Sequence, residues 1–205
     1  MSAPRLVIAT GNRGKIREML EALSGLPVEI LTRDDFASWP DLVEDGKTFE
    51  ENAAAKAVSL ARWAGMPALA DDSGLEVRAL GGAPGVISAH YAGAHGDDEA
   101  NIAKLMREME DIEPRDRGAR FVCVLALASP AGELVRIRET CEGAISPQPR
   151  GEMGFGYDPV FIPEGGERTM AELTLEEKNA LSHRGKALRR LRSLLEAGEP
   201  TWLLS

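Results

Sequence analysis

Residues 68–77 read ALADDSGLEV: two carboxylates, Asp71 and Asp72, stand side by side where a short apolar run stops, followed at once by a hydroxyl and a glycine. Successive side chains of a strand point to opposite faces, so only one of the pair can serve a given site. A hard dication such as Mg2+ takes one or two carboxylates and keeps its waters for substrate phosphates. Asp72 is one candidate ligand, and Glu44, in the polar loop before the second expected helix, is another. A plainer reading stays open: Asp-Ser-Gly is common turn chemistry, with Asp72 folded back onto backbone amides and Glu44 a solvated acid.

Three other stretches carry chemistry. TGNRGK (Thr10, Gly11, Asn12, Arg13, Gly14, Lys15) sits between an apolar run and a helical pattern. Free amides and the positive end of a helix make such a turn an anion cradle, to which Lys15 adds a mobile cation. It matches neither GxxxxGK[ST] nor GxGxxG, so neither named nucleotide loop applies. GFGYDP sets Phe155 and Tyr157 among glycines, ahead of Asp158. A ring on such a loop is where a planar base could stack. EKNALSHRG brings Lys178, His183 and Arg184 to a break in a helical pattern. Each stretch has an ordinary alternative: a strand–helix turn, a loop with a buried aromatic anchor, a helix cap. Together, a phosphate cradle, an acidic metal site, a stacking loop and a cationic cluster are the parts of a nucleoside triphosphate site.

The elements that must position these residues follow from periodicity. Residues 5–10 predict a buried first strand, and Ile16, Met19, Leu20 and Leu23 a helix over 12–24. A second strand is expected at 28–32 and a polar loop at 38–47. Thr48 with Glu51 forms a capping-box pattern for a helix to about residue 64. The strand at 67–70 ends at the carboxylates. A helix is expected over 97–111, a long hairpin over 119–128 and 134–141, and a short strand at 159–162. Thr174 with Glu177 opens a C-terminal helical region that His183-Arg184-Gly185 interrupts. Strands alternating with helices before a hairpin indicate an α/β fold with a mixed sheet.

The chain has 205 residues, 43% of them hydrophobic, enough for one compact domain or two small lobes. Its 24 Lys and Arg against 33 Asp and Glu give a formal charge of −9, which argues against a nucleic-acid partner. A small anionic substrate stays open, because a local cationic cluster or a metal inverts the field inside a site. The apolar runs are too short for a membrane span and the N-terminus lacks a signal-peptide pattern, so a cytoplasmic protein is expected. Cys123 and Cys141 lack CxxC spacing, flank the expected hairpin turn near Gly132, and are expected to stay reduced.

ATGNRGKIREM, TFEENAAAKA, ADDSGLEVRALGGAPGV, GFGYDPVF and AELTLEEKNALSHRGKAL, in this order and spacing, resemble the inosine/xanthosine triphosphate pyrophosphatase family from Leu6 to about Leu194. The resemblance implies one domain over residues 1–205, with a mixed central sheet flanked by helices and two lobes around a nucleotide-binding cleft. It implies Mg2+-dependent cleavage of deaminated purine nucleotides (ITP, dITP, XTP) to the monophosphate and pyrophosphate, by a homodimer. Carried over residue by residue, it gives the triphosphate to Thr10 through Lys15 and to Lys56. It gives the metal and the catalytic base to Asp72, with Asp71 as second choice for the base, a further metal contact to Glu44, and a substrate contact to Ser73. Phe155, Gly156, Tyr157, Asp158, Lys178, His183 and Arg184 would surround the nucleoside. One departure stands at His90 in SAHYAG, where the family often carries Arg or Lys. Two rival readings are a nucleotide sensor that binds without cutting and a related pyrophosphatase for modified pyrimidine nucleotides. The Ser182-His183-Arg184 segment, which resembles the purine enzymes' base contact, argues against the second rival.

Overall fold

The computed structural model describes residues 3–203. Eleven regular elements are found among them: β1 (Arg5–Ile8), α1 (Arg13–Ala22), β2 (Glu29–Leu31), α2 (Phe49–Ala64), β3 (Ala68–Val77), α3 (Asp98–Glu108), β4 (Gly118–Ala128), β5 (Leu134–Ile145), β6 (Phe161–Pro163), α4 (Leu175–Leu181) and α5 (His183–Glu196). The strands form one sheet in the order β2-β1-β3-β4-β5-β6. β1 runs parallel to β2 and to β3, whereas β5 and β6 are antiparallel, so the sheet is mixed as expected.

The chain divides into two compact units. The first holds the chain up to Asp72, Cys123–Arg138, and Ala187 onward; the second holds Ser73–Val122 and Glu139–Lys186. Each has its own core. In the first unit Leu6, Ile8 and Leu69 of the sheet pack with Met19 of α1, with Leu23 that caps it, and with Leu188, Leu191 and Leu195 of α5. Val7, Ala68 and Ala70, on the opposite pleat, are equally buried, as are Ala53, Ala57, Leu60 and Ala61 of α2. Four small or aliphatic residues at helical spacing give α2 a flat apolar stripe. Leu20, expected in the stripe of α1, is 41% exposed, because the core face of that helix is set by Met19 and Leu23. The second core joins Leu75 and Val77 of β3, Leu105 and Met109 of α3, Phe121 and Phe161.

Three sequence expectations are corrected. β3 does not stop at the carboxylates: it continues through Asp71, Asp72, Ser73 and Gly74 to Val77. The apolar run is only the first part of the strand, and partners on both sides keep the polar residues after it in the sheet. The Asp-Ser-Gly turn is therefore absent. The C-terminal helical region breaks at Ser182, and His183-Arg184-Gly185 forms the first turn of α5. Ser182 accepts a hydrogen bond from Gly185 N at 3.0 Å and so caps that helix. A Cβ on Gly185 would collide with the Asn179 carbonyl, so glycine lets α5 start hard against the end of α4.

The turn between β4 and β5 bonds Ser129 N to Glu133 O at 2.9 Å and centres on Ala131 rather than Gly132, which puts the cysteines out of register. Both are free and buried, Cys123 in the first core and Cys141 in the second. Intact mass spectrometry after thiol-blocked lysis should therefore show two free thiols. A mass lower by two hydrogens would contradict this arrangement.

Candidate active site

Face alternation along β3 divides the two carboxylates in the first unit. Leu69 and Asp71 share the pleat that meets α1, and Asp71 pairs with Lys15 through Oδ1 while Cys123 donates to Oδ2 at 3.1 Å. Ala70 precedes Asp71 on the other pleat, and Asp72 follows on that same side, toward α2. There Asp72 Oδ1 accepts from Lys56 Nζ at 2.9 Å. Lys56 also donates to the Asp71 carbonyl at 2.9 Å and lies 3.1 Å from Glu44 Oε2. One ammonium thus gathers Asp72 and Glu44, the two residues named as candidate metal ligands. Asp72 Oδ2 is buried and accepts no hydrogen bond from the described residues.

Burial raises the Asp72 carboxyl to about 6, against the pull of Lys56 and Lys15 and with help from Glu44. The lone Oδ2 explains the direction: one carboxylate oxygen has lost its water without gaining a donor. Burial alone would lower Lys56, but Asp72, Glu44 and Asp71 outweigh it and keep the ammonium charged.

The loop at residues 10–15 takes the expected form. Asn12 caps α1 by accepting from Lys15 N at 3.0 Å, and Thr10 Oγ1 accepts from Asn12 N at 3.2 Å. Gly11, Asn12 and Arg13 are exposed, while Gly14 is half-buried. The Asn12 side chain is committed to its own helix, leaving the exposed backbone and Arg13 to meet a ligand.

The second unit gathers the remaining candidates. Arg184 donates to Ser73 Oγ at 2.7 Å, and its guanidinium lies 5.5 Å from the Phe155 ring centre. Lys178 Nζ lies 4.5 Å from the same ring and donates to Asp158 Oδ2 at 2.7 Å. Phe155 is half-buried with two cations inside cation–π range. His183 stacks on Phe121, the ring centres 4.7 Å apart and the planes 11° from parallel. Asp158 Oδ2 also accepts from Phe155 N at 2.9 Å, which pins the glycine loop. Gly154 has φ +82°, and a Cβ there would strike that same carboxylate. Gly156 N donates to Asp98 Oδ2 at 2.6 Å. Tyr157 is buried, its hydroxyl donating to the Ser88 carbonyl at 2.9 Å, so this ring anchors the loop instead of lining an open face. His90 is exposed and stacks on His95, the centres 6.4 Å apart.

Sequence reasoning missed four supporting residues. Asn52 is buried and accepts from Gly46 N at 2.8 Å, which ties down the loop carrying Glu44. An asparagine one turn before Lys56 on an alanine stripe was the available signal. Cys123, Asp98 and Phe121 left no signal, because their roles depend on neighbours distant in sequence.

Residues 6–194 match the Ham1 family. The chain belongs to that family. A Ham1 relative from Geobacter sulfurreducens, the "dITP/XTP pyrophosphatase", is 52% identical over 191 residues, covering 93% of this chain and 96% of the relative. The Ham1 protein of Coxiella burnetii superposes with a TM-score of 0.87 at 43% identity, over 95% of this chain and 99% of that one. The "Nucleoside-triphosphatase / dITP/XTP pyrophosphatase" of Mycobacterium abscessus gives a TM-score of 0.75 at 45% identity, over 91% and 98% of the two chains. The expected family and fold are borne out, and so is the expectation of a hydrolase at the level of the family's named members.

Proposed function

We propose that this Ham1 protein hydrolyses deaminated purine nucleoside triphosphates (ITP, dITP and XTP) at the α-phosphorus, giving the monophosphate and pyrophosphate. The observation that carries the reading is the Asp72 carboxylate, held on one oxygen by Lys56 and bare on the other inside the protein. The relatives' names supply the substrate class.

The residues fit Mg2+. Asp72 and Glu44 converge on one cation, Lys56, and the bare Oδ2 is a buried anionic acceptor that a hard dication would satisfy. Asp72 and Glu44 would hold the ion, which when bound supplies a Lewis acid for the phosphate oxygens. Every other contribution comes from the chain. Asp72 orients the attacking water and takes its proton on the oxygen that the ion leaves free, in a carboxyl that burial raises above its ordinary range in the metal-free protein. Lys15, Lys56 and the amides of residues 11–14 stabilise the charge gathering on the departing pyrophosphate. Phe155, Lys178, His183 and Arg184 hold the nucleoside, with Ser73 and Asp158 fixing Arg184 and Lys178 in turn. Asp98 keeps the loop of Gly156 and Tyr157 closed.

No helix among the described residues is long and apolar enough to cross a membrane, and the chain carries a formal charge of −9. Both suit a cytoplasmic enzyme acting on free nucleotides rather than on nucleic acid. By family resemblance the working form is a homodimer.

A nucleotide panel tests the reading. With Mg2+, kcat/KM for ITP, dITP and XTP should exceed that for ATP by at least about a hundredfold, the scale that a hydrogen-bonding base site reaches. Chelation should abolish turnover. Equal rates on all purine triphosphates, or full activity without divalent ions, would refute it.

A further inference from the structure

Asp71 is the most deeply buried carboxylate of the first unit, with no exposed surface, yet the proposed chemistry gives it no task. Its surroundings differ from those of its neighbour. Oδ1 is taken by the Lys15 ammonium and Oδ2 by the Cys123 thiol at 3.1 Å, whereas Asp72 keeps one oxygen bare. A carboxylate with donors on both oxygens has little left to offer a metal or an attacking water. What it can do is hold a cation still.

We propose that Asp71 is a positioning residue acting through Lys15, with the Cys123 thiol fixing the carboxylate that holds the ammonium. This rests on the reading of Lys15 as a pyrophosphate ligand.

The geometry supports each step. Lys15 lies in the first turn of α1, one helical turn before Met19, which is fully buried in the first core, so its stem leaves the helix on the side facing the sheet. A lysine there has long flexible methylenes and several rotamers, and Asp71 selects one of them before any ligand arrives. Ordering a cation in advance lowers the cost of recruiting it when charge develops on a leaving group. Cys123 comes from β4, the neighbour of β3 in the sheet, so a rigid strand sets the carboxylate's orientation. The Asp71 carbonyl meanwhile accepts from Lys56. One residue therefore places both lysines, Lys15 by its side chain and Lys56 by its backbone.

A double-mutant cycle on the full-length protein tests this, read in two ways: pyrophosphate binding by calorimetry and ITP turnover. Asp71→Asn keeps the shape and the Cys123 contact but weakens the hold on Lys15. It should weaken pyrophosphate binding roughly tenfold, as loss of a charge-assisted hydrogen bond does. Lys15→Met should weaken it at least as much, and the double variant no more than Lys15→Met alone. Cys123→Ala should produce a smaller loss of the same kind, and Cys123→Ser, which retains a donor, a smaller one still. The Mg2+ concentration for half-maximal rate should stay where it is in Asp71→Asn, a readout that a metal ligand would move. Additive losses in the cycle, or a shifted Mg2+ requirement, overturn the inference. The binding arm needs no turnover. Non-additive binding in a protein inert toward ITP would uphold the positioning role and reject the proposed function. Additive binding in an active enzyme would do the reverse.

Discussion

Asp72→Asn is expected to lower kcat for ITP by at least about a thousandfold, within the range set by loss of a general base together with a metal ligand. The change keeps the side-chain volume but removes the charge that Mg2+ and the attacking water both need. Asp71→Asn should cost far less, because its effect passes through Lys15. Asp72→Asn should also stabilise the metal-free protein. Burial holds the folded Asp72 carboxyl at about 6, above its ordinary 3.8. A raised value means that the folded state binds the proton more tightly than the unfolded state does. This group's contribution to stability is then fully present below 3.8 and lost as the pH rises through about 6. Metal-free wild type should therefore melt below Asp72→Asn at pH 8, with the gap closing toward pH 4. Adding Mg2+ should raise the wild-type Tm and leave that of the variant unmoved. Thermal melts across pH, with and without Mg2+, check all three statements. A variant that retains turnover, or that melts below wild type at pH 8, would remove Asp72 from the centre of the mechanism.

Arg184→Ala carries the second large effect, on the choice of base. Hypoxanthine and xanthine present a carbonyl at C6 where adenine presents an amine, and a guanidinium only donates. Arg184 is almost completely buried and is held by Ser73 at 2.7 Å, so it cannot swing away from an unsuitable partner. Facing the adenine amine, a buried donor would go unmatched at a cost of about 1–3 kcal/mol. The variant should lose at least about tenfold in kcat/KM for ITP, the equivalent of a contact worth roughly 1.4 kcal/mol. ATP hydrolysis should change much less, so the ratio of ITP to ATP activity narrows. Ser73→Ala should move the ratio the same way by a smaller factor, because it releases the arginine without removing it. Loss of both activities in equal proportion would make Arg184 a phosphate or structural residue. Guanine shares the C6 carbonyl, so exclusion of GTP must rest on contacts at its 2-amino group.

The elements that position the site were legible wherever period and cap agreed. Thr48 and Glu51 form the capping box that opens α2, and Thr174 and Glu177 the one that opens α4. Their signals lie within four residues of each other, so no tertiary information was needed. The end of β3 was not legible. Asp71, Asp72, Ser73 and Gly74 read as a turn by type, and partners remote in sequence, Lys15, Lys56 and Cys123 on the two carboxylates and Arg184 on Ser73, make a strand of them tolerable. The same distance in sequence hid the supporting contacts. Cys123 lies 52 residues from Asp71 and Asp98 lies 58 from Gly156, so nothing local marks either pair. Residue type did mark the groups proposed to touch substrate, since glycine, lysine and carboxylate chemistry is recognisable without a fold. Tyr157 shows the limit of that reasoning: its aromatic ring suggested an open stacking surface, but its hydroxyl is spent on Ser88 and the ring is buried.

Hydrolysis of ITP in water enriched in oxygen-18 tests the central claim most directly. Attack at the α-phosphorus places the heavy oxygen in the monophosphate. The account predicts labelled IMP, unlabelled pyrophosphate and no IDP at any time, with formation of all products lost in Asp72→Asn. Label in the pyrophosphate would mean attack at the β-phosphorus, and IDP with labelled inorganic phosphate would mean attack at the γ-phosphorus; either result would contradict the mechanism built on Asp72.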